Sequence, residues 1–254
     1  MTQPRKPSRP SGYADHPGYQ VTFQRSPKRV RVMFAGETVA DSVNALLVRE
    51  TRHTPVYYFP RDDVRMDLMT ATDHATFCPF KGDANYWSIQ VGDRVAENAV
   101  WSYEVPYDEI AGMKDYVAFY WGRVDSWWEE DEEVFVHARD PFVRVDVLPS
   151  KRRVTVTAGG EVIADTTNAL FLVETGHPVR YYIPPSDVRM DRLVASDRVT
   201  ACPYKGTAGY YSLKDGEADI AWVYADPLPE VARIADHLCF YPDKVDEIAV
   251  ALTG

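Results

Sequence analysis

Two phrases in this chain set a thiol three residues before an ammonium group. They are "CPFKGDANYWS", Cys78 to Ser88, and "CPYKGTAGYYS", Cys202 to Ser212. A neighbouring ammonium stabilises a thiolate, the nucleophilic form of cysteine. Cys78 is thus a candidate nucleophile or polar wall, with Lys81 as its activator or as a contact for an anionic ligand. Cys202 and Lys205 repeat the pair as candidate ligand contacts. Pro79 stiffens the bend and Gly82 permits an unusual φ. The plainer reading is a buried cysteine packed as a small hydrophobe, beside a turn and a solvated lysine.

Two further groups precede the phrase. In "DDVRMD" Arg65 has a carboxylate on either side, and Arg189 has the same in "SDVRMD". Each guanidinium fork could meet a ligand carboxylate or phosphate, with Asp67 as a proton acceptor, or could pair internally and pin a loop. In "RETRHTPVYYFP", His53 could carry a proton near neutral pH or simply bond within its loop. Tyr57 and Tyr58 must face opposite sides of a strand, so only one should join a given pocket, and Tyr58 is taken as the ligand contact. Tyr86 and Trp87 supply stacking surface. His53, Asp63, Asp67 and His74 match no metal template, and neither metal nor cofactor is expected.

The elements that carry these groups occur twice. From Gly36 to Ser88 an offset of 124 needs no gap and gives 28 identities in 53 positions; beyond Ser88 the offset becomes 121, and Trp101 meets Trp222 and Tyr103 meets Tyr224. The expected division is a disordered proline-rich tail at 1–17, a first domain at 18–141 and a second at 142–254. Within a copy, "RVRVMFAGETVAD" alternates and turns at Ala35-Gly36, a hairpin signal. "ALLVRE", "TPVYYF", "NYWSIQV", "RVAENAVWSYEV" and "YVAFYW" read as further strands, "DVRMDLM" as a helical turn or bend, and "PYDEIAGM" as a short helix. The prediction is mainly β, as two tandem small antiparallel β domains with short helices. "EEDEE" (Glu129 to Glu133) reads as a solvated acidic face. The copies differ at His74, Asp83, Asn85 and Trp87, which makes the first copy the better place to look for a site.

A formal charge of −10 over 254 residues argues against general nucleic-acid binding. No apolar run is long enough for a helical membrane span, and the N-terminal stretch has no apolar core to read as a secretory signal. Three cysteines form neither a disulfide framework nor a zinc clamp, so reduced thiols and a cytoplasmic location are expected.

The segments "GETVADS", "VYYFPRDDVRMDL", "CPFKGDANYWS" and "NAVWSYEVP" resemble the bacterial and fungal domain-of-unknown-function family four-two-seven, and both halves carry the likeness. The resemblance implies a β-tent-like fold. It also brings a nucleotidyltransferase-like label, for which the chain offers no phosphate loop and no paired-carboxylate metal motif. Relatives of that fold hold zinc with paired cysteines, which this chain lacks. The function expected from the residues is binding of a small molecule, an anionic metabolite, with catalysis as an extension, in a Cys, Lys, Arg and aromatic pocket of each domain. The alternatives are a non-catalytic binding or interaction scaffold and nucleotidyl transfer. Oligomeric state is left open.

Overall fold

A computed structural model describes residues 7–252. The chain divides into two compact units, Met1–Asp140 and Pro141–Gly254. Both are mainly β, with only short 3-10 turns between strands.

The first unit holds β1 (Val21–Arg25), β2 (Val30–Phe34), β3 (Glu37–Ser42), β4 (Leu46–Glu50), β5 (Val56–Pro60), β6 (Met69–Cys78), β7 (Gly82–Val91), β8 (Arg94–Pro106), β9 (Tyr116–Phe119), β10 (Ser126–Glu129) and β11 (Glu132–Val134). The second holds β12 (Val145–Pro149), β13 (Arg153–Ala158), β14 (Glu161–Thr166), β15 (Leu170–Glu174), β16 (Arg180–Ile183), β17 (Leu193–Cys202), β18 (Gly206–Leu213), β19 (Ala221–Val223), β20 (Leu238–Phe240) and β21 (Glu247–Ala251). In the first unit a seven-stranded sheet runs β1-β4-β5-β9-β8-β7-β6, and a smaller one runs β11-β10-β2-β3. The second unit repeats the large sheet as β12-β15-β16-β20-β19-β18-β17, with β14-β13-β21 as the smaller. Neighbouring strands are antiparallel, as hairpin-rich connections allow.

The expected hairpin is present. Ala35 and Gly36 both have positive φ, +50° and +83°, as the tight turn between β2 and β3 requires. "DVRMDLM" holds one 3-10 turn, Met66–Leu68, just after another at Arg61–Asp63, and "PYDEIAGM" forms a third at Asp108–Met113. The large sheet is apolar on both faces. Alternation sends Tyr57 and Phe59 into one cluster with Val30, Val32 and Trp127, and sends Tyr58 into another with Leu46, Tyr86 and Tyr103. The second cluster lies beside the candidate site.

Two expectations need correction. "EEDEE" is not simply a solvated face: Glu129 is 5% exposed and accepts from the Tyr57 hydroxyl at 2.9 Å and from Lys28 Nζ at 2.5 Å. The strand β10 turns that carboxylate inward, while Asp131 stays exposed. The proline-rich start was expected to be disordered, and residues 1–6 lie outside the described residues. Residues 7–17 instead form an arm with defined contacts. Gly12 N–H donates to Pro79 O at 2.8 Å, Ser8 Oγ to Asp83 Oδ1 at 2.6 Å, and Tyr107 hydroxyl to Arg9 O at 3.0 Å.

Candidate functional site

The hairpin between β6 and β7 carries the opening phrase. Cys78 ends one strand, Gly82 begins the next, and Lys81 N–H closes the turn on Cys78 O at 3.3 Å. Gly82 sits at φ +103°, and a Cβ there would lie 3.1 Å from Val105 O. This tight turn sends the Lys81 side chain into the protein, where the residue is 7% exposed. Its Nζ donates to Glu50 Oε2, at the end of β4. The second unit repeats the arrangement, with Lys205 Nζ donating to Glu174 Oε2 at 2.6 Å.

Each ion pair borders a cavity. In the first unit it measures about 720 Å³, and Cys78, Lys81, His53, Tyr58 and Tyr86 all line it. Trp101 adds its indole, whose N–H donates to the Tyr58 hydroxyl at 3.0 Å. Thr76 Oγ1 and the Tyr86 hydroxyl share a 2.8 Å hydrogen bond, and the Tyr86 and Tyr120 rings stack at 6.4 Å. Tyr120 also leans on Trp101 at 4.5 Å. Tyr57, Phe119 and Trp127, from the cluster on the sheet's other face, border the cavity as well, so both members of the tyrosine pair reach it. The buried Trp127 indole N–H has no acceptor among the described residues.

The second cavity measures about 220 Å³. Trp222 donates to Tyr182 at 3.1 Å, Thr200 bonds Tyr210 at 2.7 Å, and Tyr210 stacks on Tyr241 at 6.4 Å. Glu, His, Lys, Thr, Trp and four Tyr positions are therefore the same in both cavities. Their surroundings differ. Tyr19, between the N-terminal arm and β1, stacks on Phe80 at 3.5 Å and donates to Glu50 Oε1 at 2.6 Å. Val136 and His137 add to the first wall. His74 packs edge-on to Tyr86 at 4.4 Å, whereas Arg198 lies 4.6 Å over Tyr210.

The electrostatics follow from burial and pairing. Burial alone would raise the Glu50 carboxyl. The hydrogen bond and charge of Lys81, then the Tyr19 hydroxyl and the nearby His53, outweigh it and hold Glu50 below its ordinary range. Burial, then the bond to Glu50, pushes the Tyr19 phenol up. Tyr120 and Tyr241 are pushed up to about 12, by burial first and then by their tyrosine partners. These phenols stay protonated at neutral pH and can donate hydrogen bonds.

Several residues singled out in the sequence lie elsewhere. Arg65 spends its fork on Asp67, Nε to Oδ1 at 2.9 Å and Nη2 to Oδ2 at 2.8 Å, and all these groups are exposed. Arg189 likewise pairs with Asp191 at 3.1 Å and Glu161 at 3.2 Å. Neither arginine nor Asp67 lines either of these two cavities, because a carboxylate two residues away engages each guanidinium and the segment serves to pin its 3-10 turns. Trp87 is buried in the other cluster, with Arg61 4.7 Å over its ring. Its strand neighbour Tyr86 takes the cavity side instead. Cys78 lies half-buried against the Tyr58 cluster. Cys202 is half-buried too, but it is not among the residues lining the second cavity. The carboxylate on Lys81 means that its ammonium is not reserved for the thiol. Sequence reasoning missed Glu50, Thr76, Trp101, Tyr103 and Tyr120 as site residues. The recurrence of Glu50 as Glu174 and of Trp101 as Trp222 was the signal that could have found them.

A family model described as a domain of unknown function (DUF427) matches residues 22–130 and again 146–251. No curated protein matches the chain.

Proposed function

The chain belongs to the DUF427 family as a tandem of two copies, and from that premise we propose that each copy is a small-molecule-binding domain whose ligand occupies the aromatic cavity beside the Lys–Glu pair. One observation carries this reading. The same nine side chains line both cavities with the same hydrogen bonds, although the copies have diverged around them. A buried ion pair is a poor way to gain stability, since apolar residues of equal volume commonly do as well. Its repetition next to open space favours recognition.

The ligand class follows from the lining. Tyr58, Trp101 and Tyr120 offer flat surface, and stacked or edge-on aromatic contacts suit a planar ring. The pair offers an acceptor and a donor side by side, and the tyrosine hydroxyls add donors that stay protonated. In the first cavity Glu50 neutralises Lys81, so an uncharged planar ligand with donor and acceptor groups fits better than the anion expected from the sequence. Binding, with no covalent step, is the reading the geometry favours.

Thermal-shift screening against planar metabolites, with nucleotides plus magnesium included, tests it. The expected result is a rise in melting temperature with at least one planar polar compound, lost in the double variant Tyr120→Ala, Tyr241→Ala. Tyr120 is 38% exposed and is a partner in neither the Lys81–Glu50 pair nor the Trp101–Tyr58 hydrogen bond. A shift that persists in this variant, or no shift with any compound, would count against cavity binding.

A further inference from the structure

The two cavities differ at one wall position by a full charge. Val56 lines the first, and its counterpart Arg180 lines the second. Both occupy the same place in the sheet. Val56 lies opposite Val48 across β4 and β5, and Arg180 opposite Leu172 across β15 and β16. Directly opposed residues share a face, and Val48 and Leu172 both belong to the cavity-side clusters. The Arg180 guanidinium accordingly lies over the Trp222 ring, 5.5 Å from its centroid.

The charges around it are accounted for. Glu174 and Lys205 neutralise each other at 2.6 Å. Arg198 is held by Asp219 at 3.3 Å, and Lys244 Nζ donates to Ala218 O at 2.8 Å. Among the described residues Arg180 makes no ion pair. A guanidinium fork beside an aromatic wall, with no carboxylate of its own, is a receptor for a planar anion.

We propose that the second cavity selects a planar aromatic carboxylate, with Arg180 as the residue that sets this preference, while the first takes uncharged ligands. The proposal rests on the reading of both cavities as binding sites and adds the charge of the ligand. The carboxylate would bridge to Arg180 while the ring stacks against Trp222 and Tyr241. At about 220 Å³ the space suits a single ring with a short substituent.

Benzoate and its uncharged isostere benzamide are the probes, titrated into the full chain and followed through the indole N–H signal of Trp222, assigned with Trp222→Phe. A charge-assisted hydrogen bond predicts that benzoate binds about tenfold more tightly than benzamide. Arg180→Val, which installs the residue of the first copy, should abolish that preference, bringing the two affinities together. The reciprocal Val56→Arg should make the Trp101 signal respond to benzoate. Benzamide binding at Trp222 with no preference for benzoate overturns charge selection and leaves cavity binding standing. A benzoate preference unchanged in Arg180→Val assigns selection elsewhere and also overturns the proposal. Silence at Trp222 with both probes overturns it as well, and the wider metabolite screen then decides separately whether either cavity binds a ligand.

Discussion

At the scale of single residues, the Lys81–Glu50 pair sets the energetics of the first cavity. Both side chains are nearly buried, at 9% and 12% exposure, so removing one leaves a charge without its partner. Lys81→Met should cost about 3–5 kcal/mol of unfolding free energy, and the double change Lys81→Met, Glu50→Leu should recover most of it. Chemical denaturation of the two variants checks this. The lowered Glu50 carboxyl adds a pH dependence. Its folded value lies below the ordinary 4.5, so near that pH the unfolded chain binds more protons. The pair's stabilisation is therefore complete above about pH 5 and is lost as pH falls through the folded value. Melting temperatures between pH 7 and pH 3 should fall less steeply for Glu50→Gln than for the wild type. Part of this candidate site was legible. The repeated phrase pointed to Lys81, but strand alternation was expected to admit only one of Tyr57 and Tyr58, and both border the cavity. The carboxylate that completes the pair stands 31 residues from its lysine, on another strand, and no local spacing links the two. Arg65 misled because the sequence shows its two flanking carboxylates but not which of its possible partners captures the fork.

At the scale of elements, the β6–β7 hairpin decides where that lysine goes. The turn needs the left-handed φ of Gly82 on one side and tolerates little bulk, because the Val105 carbonyl is 3.1 Å from where a Cβ would stand. Gly82→Ala should destabilise the first unit by about 1–2 kcal/mol, as expected for a non-glycine residue forced to positive φ. It should also weaken ligand binding beyond the stability loss, since the turn then no longer aims Lys81 at Glu50. Gly206 has the same conformation, at φ +99°, and a Cβ there would lie 3.3 Å from Asp226 O, so Gly206→Ala should act on the second cavity alone. Binding measured separately at Trp101 and Trp222 distinguishes the two. The hairpin was only half visible in the sequence. β7 reads as a strand from "NYWSIQV", but β6 does not, because "TATDHATF" is largely exposed and polar on an edge of the sheet. An edge strand has one paired side and no need for apolar alternation.

At the scale of the whole molecule, the duplication was the strongest signal in the chain, because a gap-free offset over 53 positions constrains a fold more than any motif does. What the offset could not show is how each copy closes its smaller sheet. In the first copy β10 pairs with β2 and β11 with β10, with Glu129 turned inward to Lys28, Arg139 and Tyr57. In the second, β21 takes that place beside β13, with Ile248 and Val250 packed against the core. The two solutions differ chemically, one polar and buried, the other apolar, and each core is assembled from the residues of its own unit. Each unit therefore carries what a domain of its size needs to fold alone. Residues 1–140 and 141–254, expressed separately, should each show a cooperative thermal transition. Lys81→Met should lower the first and leave the second unchanged. In calorimetry of the full chain the same substitution should move one of two transitions. A single transition that shifts as a whole would show instead that the copies fold as one cooperative unit, and any ligand bound in one cavity would then stabilise both.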